Sequence, residues 1–289
     1  MYRLSLFEKT LITAEDDLLT YFLAFWDPHD IFKAESLSSV MLGIVSHYRR
    51  LVWDPDSRFQ PWFRDPTRQF RTMLRRCGAI VTGSQMLQFF DRTNYPDSDM
   101  DIFLRIGGVS LLGNWLTTQG YSPAAPSAKY TFFRNRVQRA CSQIITRQGE
   151  PQTPIRGVYN YYRYVATQTV VHHQKIQLVV VDMDPIHHVI FDFHSTGVMN
   201  FLSSTRAVSI FPLCTFRYRK SYVARRNRDS PERTALWRNK YRNRGFRVIN
   251  KRTKGAHTDL ILGNRTTGDR HCWTIQLECK SSTRRTYID

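Results

Sequence analysis

The sequence predicts an α/β fold of the α+β type: a mixed sheet flanked by helices, with a helical N-terminal extension and a small basic C-terminal module. Three observations predict it. Apolar residues recur at helical spacing through residues 1 to about 50. From Ala79 onward, short apolar runs rich in β-branched and aromatic residues alternate with helix-like stretches. A cationic segment, 217–254, then carries 11 Arg and 4 Lys against Asp229 and Glu232.

The elements follow in order. Leu11, Ile12, Leu18, Leu19, Phe22 and Leu23 mark a first helical region, broken at Asp27-Pro28. Ile31, Phe32, Leu37, Val40, Met41, Ile44 and Val45 mark a second. Asp65-Pro66 reads as an N-cap followed by proline at the first helical position, starting a helix that stops near Cys77-Gly78. Ala79-Ile80-Val81 is a short buried strand. Gly83-Ser84 leads into a helical run, Gln85 to Phe90, and the turn Asn94 to Ser98 leads into a strand from Asp99 to Leu104. Val109 to Thr118 reads as a helix closed by Gly120. Residues 130–147 fit helix and strand alike. Val158 to Val171 and Lys175 to Val181 read as strands, the second being the strongest in the chain. Pro185 to Phe193 and Val198 to Phe211 read as helical. Pro231 to Arg244 is a helix stopped by Gly245. Phe246 to Ile249, Asp259 to Leu262 and Cys272 to Leu277 read as strands of a terminal sheet. These elements divide the chain into a helical extension (1–64), a central α/β domain (65–215) and the basic module (216–289).

Composition narrows the function classes. The 289 residues include 38 aromatics and are 42% hydrophobic, enough apolar surface to offset the entropy of ordering. No run of 18 apolar residues occurs, so a spanning helix is excluded. Glu8, Glu15, Asp16 and Asp17 argue against a secretory or transit peptide. The formal charge is +18, and Arg supplies 33 of the 42 cations. The segment 217–254 holds +13 of it, so a nearly balanced body carries a basic appendage. Tyr218, Tyr222, Trp237 and Tyr241 within or beside that segment suit stacking on bases. RNA or another polyanion is therefore an expected partner, contacted by Arg225, Arg226, Arg228, Arg238, Arg242 and Arg244. An acidic protein partner, or a plain solvated surface, accounts for the same charge. The five cysteines are odd in number and widely spaced, with no C-x-x-C, and read as reduced thiols of an intracellular protein, cytoplasmic or nuclear. His257, His271, Cys272 and Cys279 match no common zinc spacing.

One constellation carries chemistry: strand, Gly83-Ser84, helix, turn, and the Asp99-x-Asp101 strand. Residues two apart in a strand share a face, so Asp99 and Asp101 project together while Met100 and Ile102 enter the core. Two adjacent carboxylates repel and suit a hard cation such as Mg²⁺ or Mn²⁺. Gly83 permits close approach of a phosphate, Ser84 offers a hydroxyl, and the next helix offers free N–H groups. A metal beside a phosphate cradle suits nucleotidyl transfer.

These residues resemble the nucleotidyltransferase superfamily of the polymerase-beta type. Its pattern is matched by Thr82-Gly83-Ser84, a spacer of 14 residues, and Asp99-Met100-Asp101-Ile102. Further words, Gly-Ser-x-x-Leu-Gln-Phe-Phe-Asp-Arg over 83–92, Tyr95-Pro96-Asp97-Ser98-Asp99, Phe193 to Thr196, Met199-Asn200 and Phe211-Pro212, are similar to a group of uncharacterised, largely fungal proteins ascribed that fold. The resemblance spans about residues 65 to 215. It implies that Gly83 and Ser84 bind the phosphates of a nucleoside triphosphate. It also implies that Asp99 and Asp101 bind metal and serve catalysis, and that Asn200 is placed to meet a base or ribose. The family's third carboxylate aligns with Gln177, which cannot act as a base. Three readings result. The first is Mg²⁺-dependent nucleotide binding, with transfer of a nucleoside monophosphate to an unknown hydroxyl. The second is a catalytically degenerate member that binds nucleic acid or protein through its Arg-rich face. The third rests on a faint F-box resemblance over Asp27 to Arg49 and makes the chain an F-box-like adaptor. The pairs His172-His173 and His187-His188 read as exposed or packed residues, because neighbours in a strand point oppositely.

Overall fold

The computed structural model describes residues 4–96, 98–124, 155–166, 171–224, 229–250, 259–261, 263 and 265–277. The chain is a mixed α/β protein built on an eight-stranded sheet. Four helices open it: α1 (Leu6–Thr13), α2 (Asp16–Ala24), α3 (Pro28–Glu35) and α4 (Ser39–Val52). Each start has a local cause. Ser5 and Glu8 form a reciprocal capping box on α1. Asp27 caps α3 ahead of Pro28, and Ser38 caps α4 through the Met41 N–H. The sequence pattern reads α3 and α4 as one stretch; the Ser38 cap divides it. Helix α5 (Pro55–Phe59) and a 3₁₀ turn (Gln60–Trp62) lead to α6 (Thr67–Cys77). Pro66 itself occupies the N-cap of α6. Asp65 instead accepts a bond from Gln119 Nε2 at 2.6 Å, so the expected Asp65 cap is corrected. Gly78, at φ +56°, closes the helix as predicted.

The sheet runs in the order β10-β7-β6-β1-β2-β5-β4-β3. Its strands are β1 (Ile80–Thr82), β2 (Met100–Leu104), β3 (Ser122–Pro123), β4 (Ile155–Ala166), β5 (Val171–Val181), β6 (Asn200–Leu202), β7 (Arg206–Ser209) and β10 (Trp273–Gln276). Within this sheet, among the described residues, only the β2–β5 pair is parallel. Helix α7 (Ser84–Asp91) joins β1 to the turn before β2, α8 (Ile106–Thr118) follows β2, and α9 (Pro185–Phe191) follows β5. One face of the central strands, with Val81, Met100, Ile102, Leu104, Ile176 and Leu178, packs on the large core under α6, α7 and α8. The other, with Ile80, Phe103, Val179, Val181 and Phe201, packs with Val189 of α9.

Two expected elements are corrected. Val198 to Phe211 is not a helix but the hairpin β6–β7, with Phe201 paired to Val208 and Leu202 to Ala207. All four side chains are buried, so both strand faces are apolar and the period-2 signal disappears. Residues 259 and 260 are turn and bend rather than strand, and Leu262 lies outside the described residues. Their place is fixed by Asp259, which accepts bonds from Lys220 Nζ and the Tyr222 hydroxyl.

The expected single terminal sheet is corrected: the C-terminal strands divide between a two-stranded sheet and the central one. β8 (Lys220–Tyr222) pairs in parallel with β9 (Arg247–Ile249), whereas β10 joins the central sheet beside β7. Between β8 and β9 lies α10 (Pro231–Asn243), capped by Ser230 and followed by Gly245 at φ +81°. Among the described residues, no helix is long and apolar enough to cross a membrane.

Candidate functional site

β1 ends at Thr82, and Gly83 turns the chain into α7. Gly83 adopts φ +69°, and a Cβ there would sit 2.5 Å from Asp101 Oδ2. Both the backbone angle and the neighbouring carboxylate therefore demand glycine. Ser84 opens α7, and its helix N-terminus faces the same edge as Asp101. Gln85 and Gln88, both buried, pin the following turn. Gln85 Nε2 donates to the Ser98 and Asp99 carbonyls at 3.0 and 3.4 Å. Gln88 Oε1 accepts from the Tyr95 N–H at 2.6 Å. The turn thus delivers Asp99 just ahead of β2.

Met100 and Ile102 are fully buried, which leaves Asp99 and Asp101 on the opposite face, as alternation predicts. Burial first, and then the charge of Asp99, push the Asp101 carboxyl up to about 7. Gln177 is the register partner of Asp101 on β5. Its amide donates to Asn160 Oδ1 on β4 at 2.7 Å. Among the described residues no third Asp, Glu, His or Cys converges with Asp99 and Asp101.

Cations surround the pair. Lys175 Nζ lies 2.7 Å from Asp99 Oδ2. From α10, the Lys240 ammonium interacts with both carboxylates, while burial and Arg244 pull its pKa below the ordinary lysine value. Arg244, just beyond α10, donates to Ser84 Oγ at 3.2 Å and Ser98 Oγ at 2.9 Å and lies over the Tyr95 ring at 4.0 Å. Tyr241 also bonds Ser84, and burial pushes its phenol up to about 12.

The structure therefore brings together Gly83, Ser84, Asp99, Asp101 and Gln177, and adds Arg244 to them. Arg238 bonds Asn250 Oδ1 at 2.7 Å, and Arg242 is exposed. Arg225, Arg226 and Arg228 lie outside the described residues. Asn200 sits on β6, its backbone carbonyl accepting from Thr82 Oγ1, and its buried Oδ1 has no hydrogen-bond partner. Lys175 and Lys240 were not singled out by sequence. Lys175 had a signal: it is two residues before Gln177 and so shares its face. Lys240 lies one helical turn before Arg244, a spacing that gains meaning only once α10 is docked.

His188 is buried against Phe103 with Asp192 at 3.3 Å, and His194 stacks on Trp237 at 4.1 Å, so both are packed residues. Cys77, Cys214 and Cys272 are free thiols, and Cys141, His257 and Cys279 lie outside the described residues. Asp27, His29 and Asp30 form a second acidic grouping within metal-ligand reach of one another. The Arg217 guanidinium bonds both of its carboxylates and already supplies the countercharge. No family model matches the chain, and it has no significant match among the curated proteins or the solved structures.

Proposed function

We propose that the chain is a nucleotidyltransferase-like protein that binds a nucleoside triphosphate with a divalent cation, and that its transfer chemistry is impaired. The observation that carries the reading is the Asp99–Asp101 pair beside the Gly83-Ser84 turn. Two adjacent carboxylates on one strand face, Asp101 raised first by burial and then by the charge of Asp99, fit one such cation completed by phosphate oxygens. When bound, that cation would neutralise charge on the phosphates and favour attack by an acceptor hydroxyl.

The chain's own residues would act as follows. Ser84 and the first N–H groups of α7 hold phosphate oxygens. Lys240 and Arg244 add charge-assisted bonds from the other side. Arg244 would exchange its bonds to Ser84 and Ser98 for bonds to phosphate. Lys175 neutralises Asp99 until the ligand arrives. Gln177, its amide engaged by Asn160, takes no proton from an acceptor hydroxyl. That is the reason for expecting binding with little transfer.

Calorimetry with each of the four triphosphates, with and without Mg²⁺, tests this. Binding is expected to require Mg²⁺ and to fall at least about tenfold in Asp99→Ala plus Asp101→Ala. Unchanged affinity in that double variant would sink the assignment. Gln177→Asp should tighten Mg²⁺ binding and raise transfer of labelled nucleotide to RNA or protein.

A second reading, favoured by the Gln177–Asn160 bond, is a degenerate member that grips nucleic acid through its Arg-rich segment. It expects salt-sensitive binding that is lost on neutralising Arg225, Arg226 and Arg228 and is indifferent to Asp99 and Asp101.

A further inference from the structure

Helix α7 carries the Gly83-Ser84 turn at its front end, and its back end joins the N-terminal helices to the C-terminal module. Asp91 closes the helix with a side chain only 9% exposed. Arg92, the next residue, adopts φ +54°. Its guanidinium donates to the Leu23 and Trp26 carbonyls and to the Tyr48 hydroxyl. Arg219, just before β8, adopts φ +52°, and its guanidinium donates to Asp91 Oδ1 at 2.5 Å. Among the described residues, these two arginines are the non-glycine residues with positive φ. A β-carbon is crowded in that region, and such strain persists only where the surroundings over-determine it. Here the strain is concentrated around one buried carboxylate.

Arg219 does more than neutralise Asp91. Its Nη2 donates to the Arg244 carbonyl at 3.0 Å, and the guanidinium lies over the Phe246 ring at 4.0 Å. Arg244 stands at the C-cap of α10, where carbonyls lack partners within the helix. The Arg219 fork therefore holds the backbone at Arg244, whose own side chain reaches Ser84 and Ser98. In this way Arg244 is tied to both ends of α7, to Ser84 directly and to Asp91 through Arg219. About 10 Å of helix separates the two ties. An arginine side chain has much rotamer freedom to lose, so fixing it before the ligand arrives lowers the cost of binding.

We propose that Asp91 and Arg219 are positioning residues that hold Arg244 where it meets the phosphates of a nucleoside triphosphate. The proposal rests on the nucleotide reading of the site and names what controls its grip on phosphate. Both residues act through Arg244 rather than on the ligand. Asp91 holds Arg219 by charge, and the planar fork of Arg219 divides between a carboxylate and a carbonyl. A lysine ammonium is a compact point charge on a flexible stem. Arg219→Lys therefore keeps a countercharge for Asp91 while giving up the fork that holds the Arg244 backbone. It also avoids leaving a buried carboxylate unpaired, which would threaten the fold itself.

The test reads the full chain in two ways. Calorimetry with Mg²⁺ and each of the four nucleoside triphosphates compares the unmodified chain with Arg219→Lys, Arg244→Ala and the double variant. Arg219→Lys should weaken the tightest-binding triphosphate at least about fivefold, and the double variant should bind like Arg244→Ala alone. Nuclear magnetic resonance of the ligand-free chain reads the order parameter of the Arg244 Nε–H bond. It should be high in the unmodified chain and fall in Arg219→Lys. A purely structural ion pair would leave Arg244 ordered in that variant, because the charge facing Asp91 is kept. Unchanged affinity in Arg219→Lys, a loss that persists in full on the Arg244→Ala background, or an unchanged order parameter would each overturn the proposal. Absence of triphosphate binding by the unmodified chain would overturn the nucleotide reading instead, and the order parameter would then decide the positioning of Arg244 by itself.

Discussion

Gly83 and Asp101 illustrate how a single missing atom sets a site. The Cβ that any other residue would add meets the Asp101 carboxylate at 2.5 Å, and φ +69° is strained for every side chain. Gly83→Ala should lower stability by of order 1–3 kcal/mol, read as a lower urea midpoint at constant m. It should also displace Asp101 and weaken the proposed nucleotide binding. His194 makes the opposite kind of residue-scale statement. Burial, and then Lys240 and Arg233, push its imidazole down to about 4. The unfolded chain binds that proton near pH 6.5 and the folded chain only near 4. Stability contributed by this residue is therefore lost as pH falls from about 6.5 towards 4. Replacing His194 with Gln should flatten the dependence of the melting temperature across that window, on top of a pH-independent drop from the lost stack on Trp237. The Gly83-Ser84 and Asp99-x-Asp101 words were legible in the sequence because their placement is local, set by turn conformation and strand alternation. Lys175 and Lys240 were not, because each meets the carboxylates only through pairing or docking of a distant element.

Helix α10 shows what element packing does to a charge count. Its cationic composition reads as a solvated or polyanion-facing surface. Yet Trp237 and Tyr241 are buried, and Lys240, with Arg244 just beyond the helix, turns toward the carboxylates. Trp237 stacks on His194 and anchors the helix to the body. Trp237→Ala should cost about 3 kcal/mol and speed hydrogen exchange in α10. The proposed nucleotide affinity should fall with it, since Lys240 and Arg244 travel with the helix. If exchange in α10 is unchanged, Trp237 is not its anchor. The hairpin β6–β7 makes a related point. Its apolar residues are buried on both faces, so periodicity could not separate it from a helix, and the Ser203-Ser204-Thr205 turn was the local clue. The helical character of α1 to α4 was legible from apolar spacing, but the boundary that the Ser38 cap sets between α3 and α4 was not.

At the scale of the whole molecule, the C-terminal strand closes the core. Trp273 of β10 meets Trp53 at 4.7 Å, Phe90 at 4.8 Å and Phe216 at 6.0 Å between ring centres. A chain ending at residue 250 should therefore lose cooperative unfolding of the body, seen as a broadened, lower thermal transition. An unchanged transition would show that residues 1–250 hold their core without β10. The mixed α/β class, most element positions and the pairing of Asp99 with Asp101 follow from the sequence alone, because capping, alternation and apolar period act over a few residues. Four matters were left to the tertiary structure. It set Gln177 opposite Asp101, brought Lys240 and Arg244 to Ser84 and the aspartates, made β10 a partner of β7, and set Arg219 between Asp91 and the Arg244 carbonyl. Each depends on contacts between residues tens to hundreds of positions apart. Such contacts are chosen by the closing of the whole core, and no local run of residues encodes them.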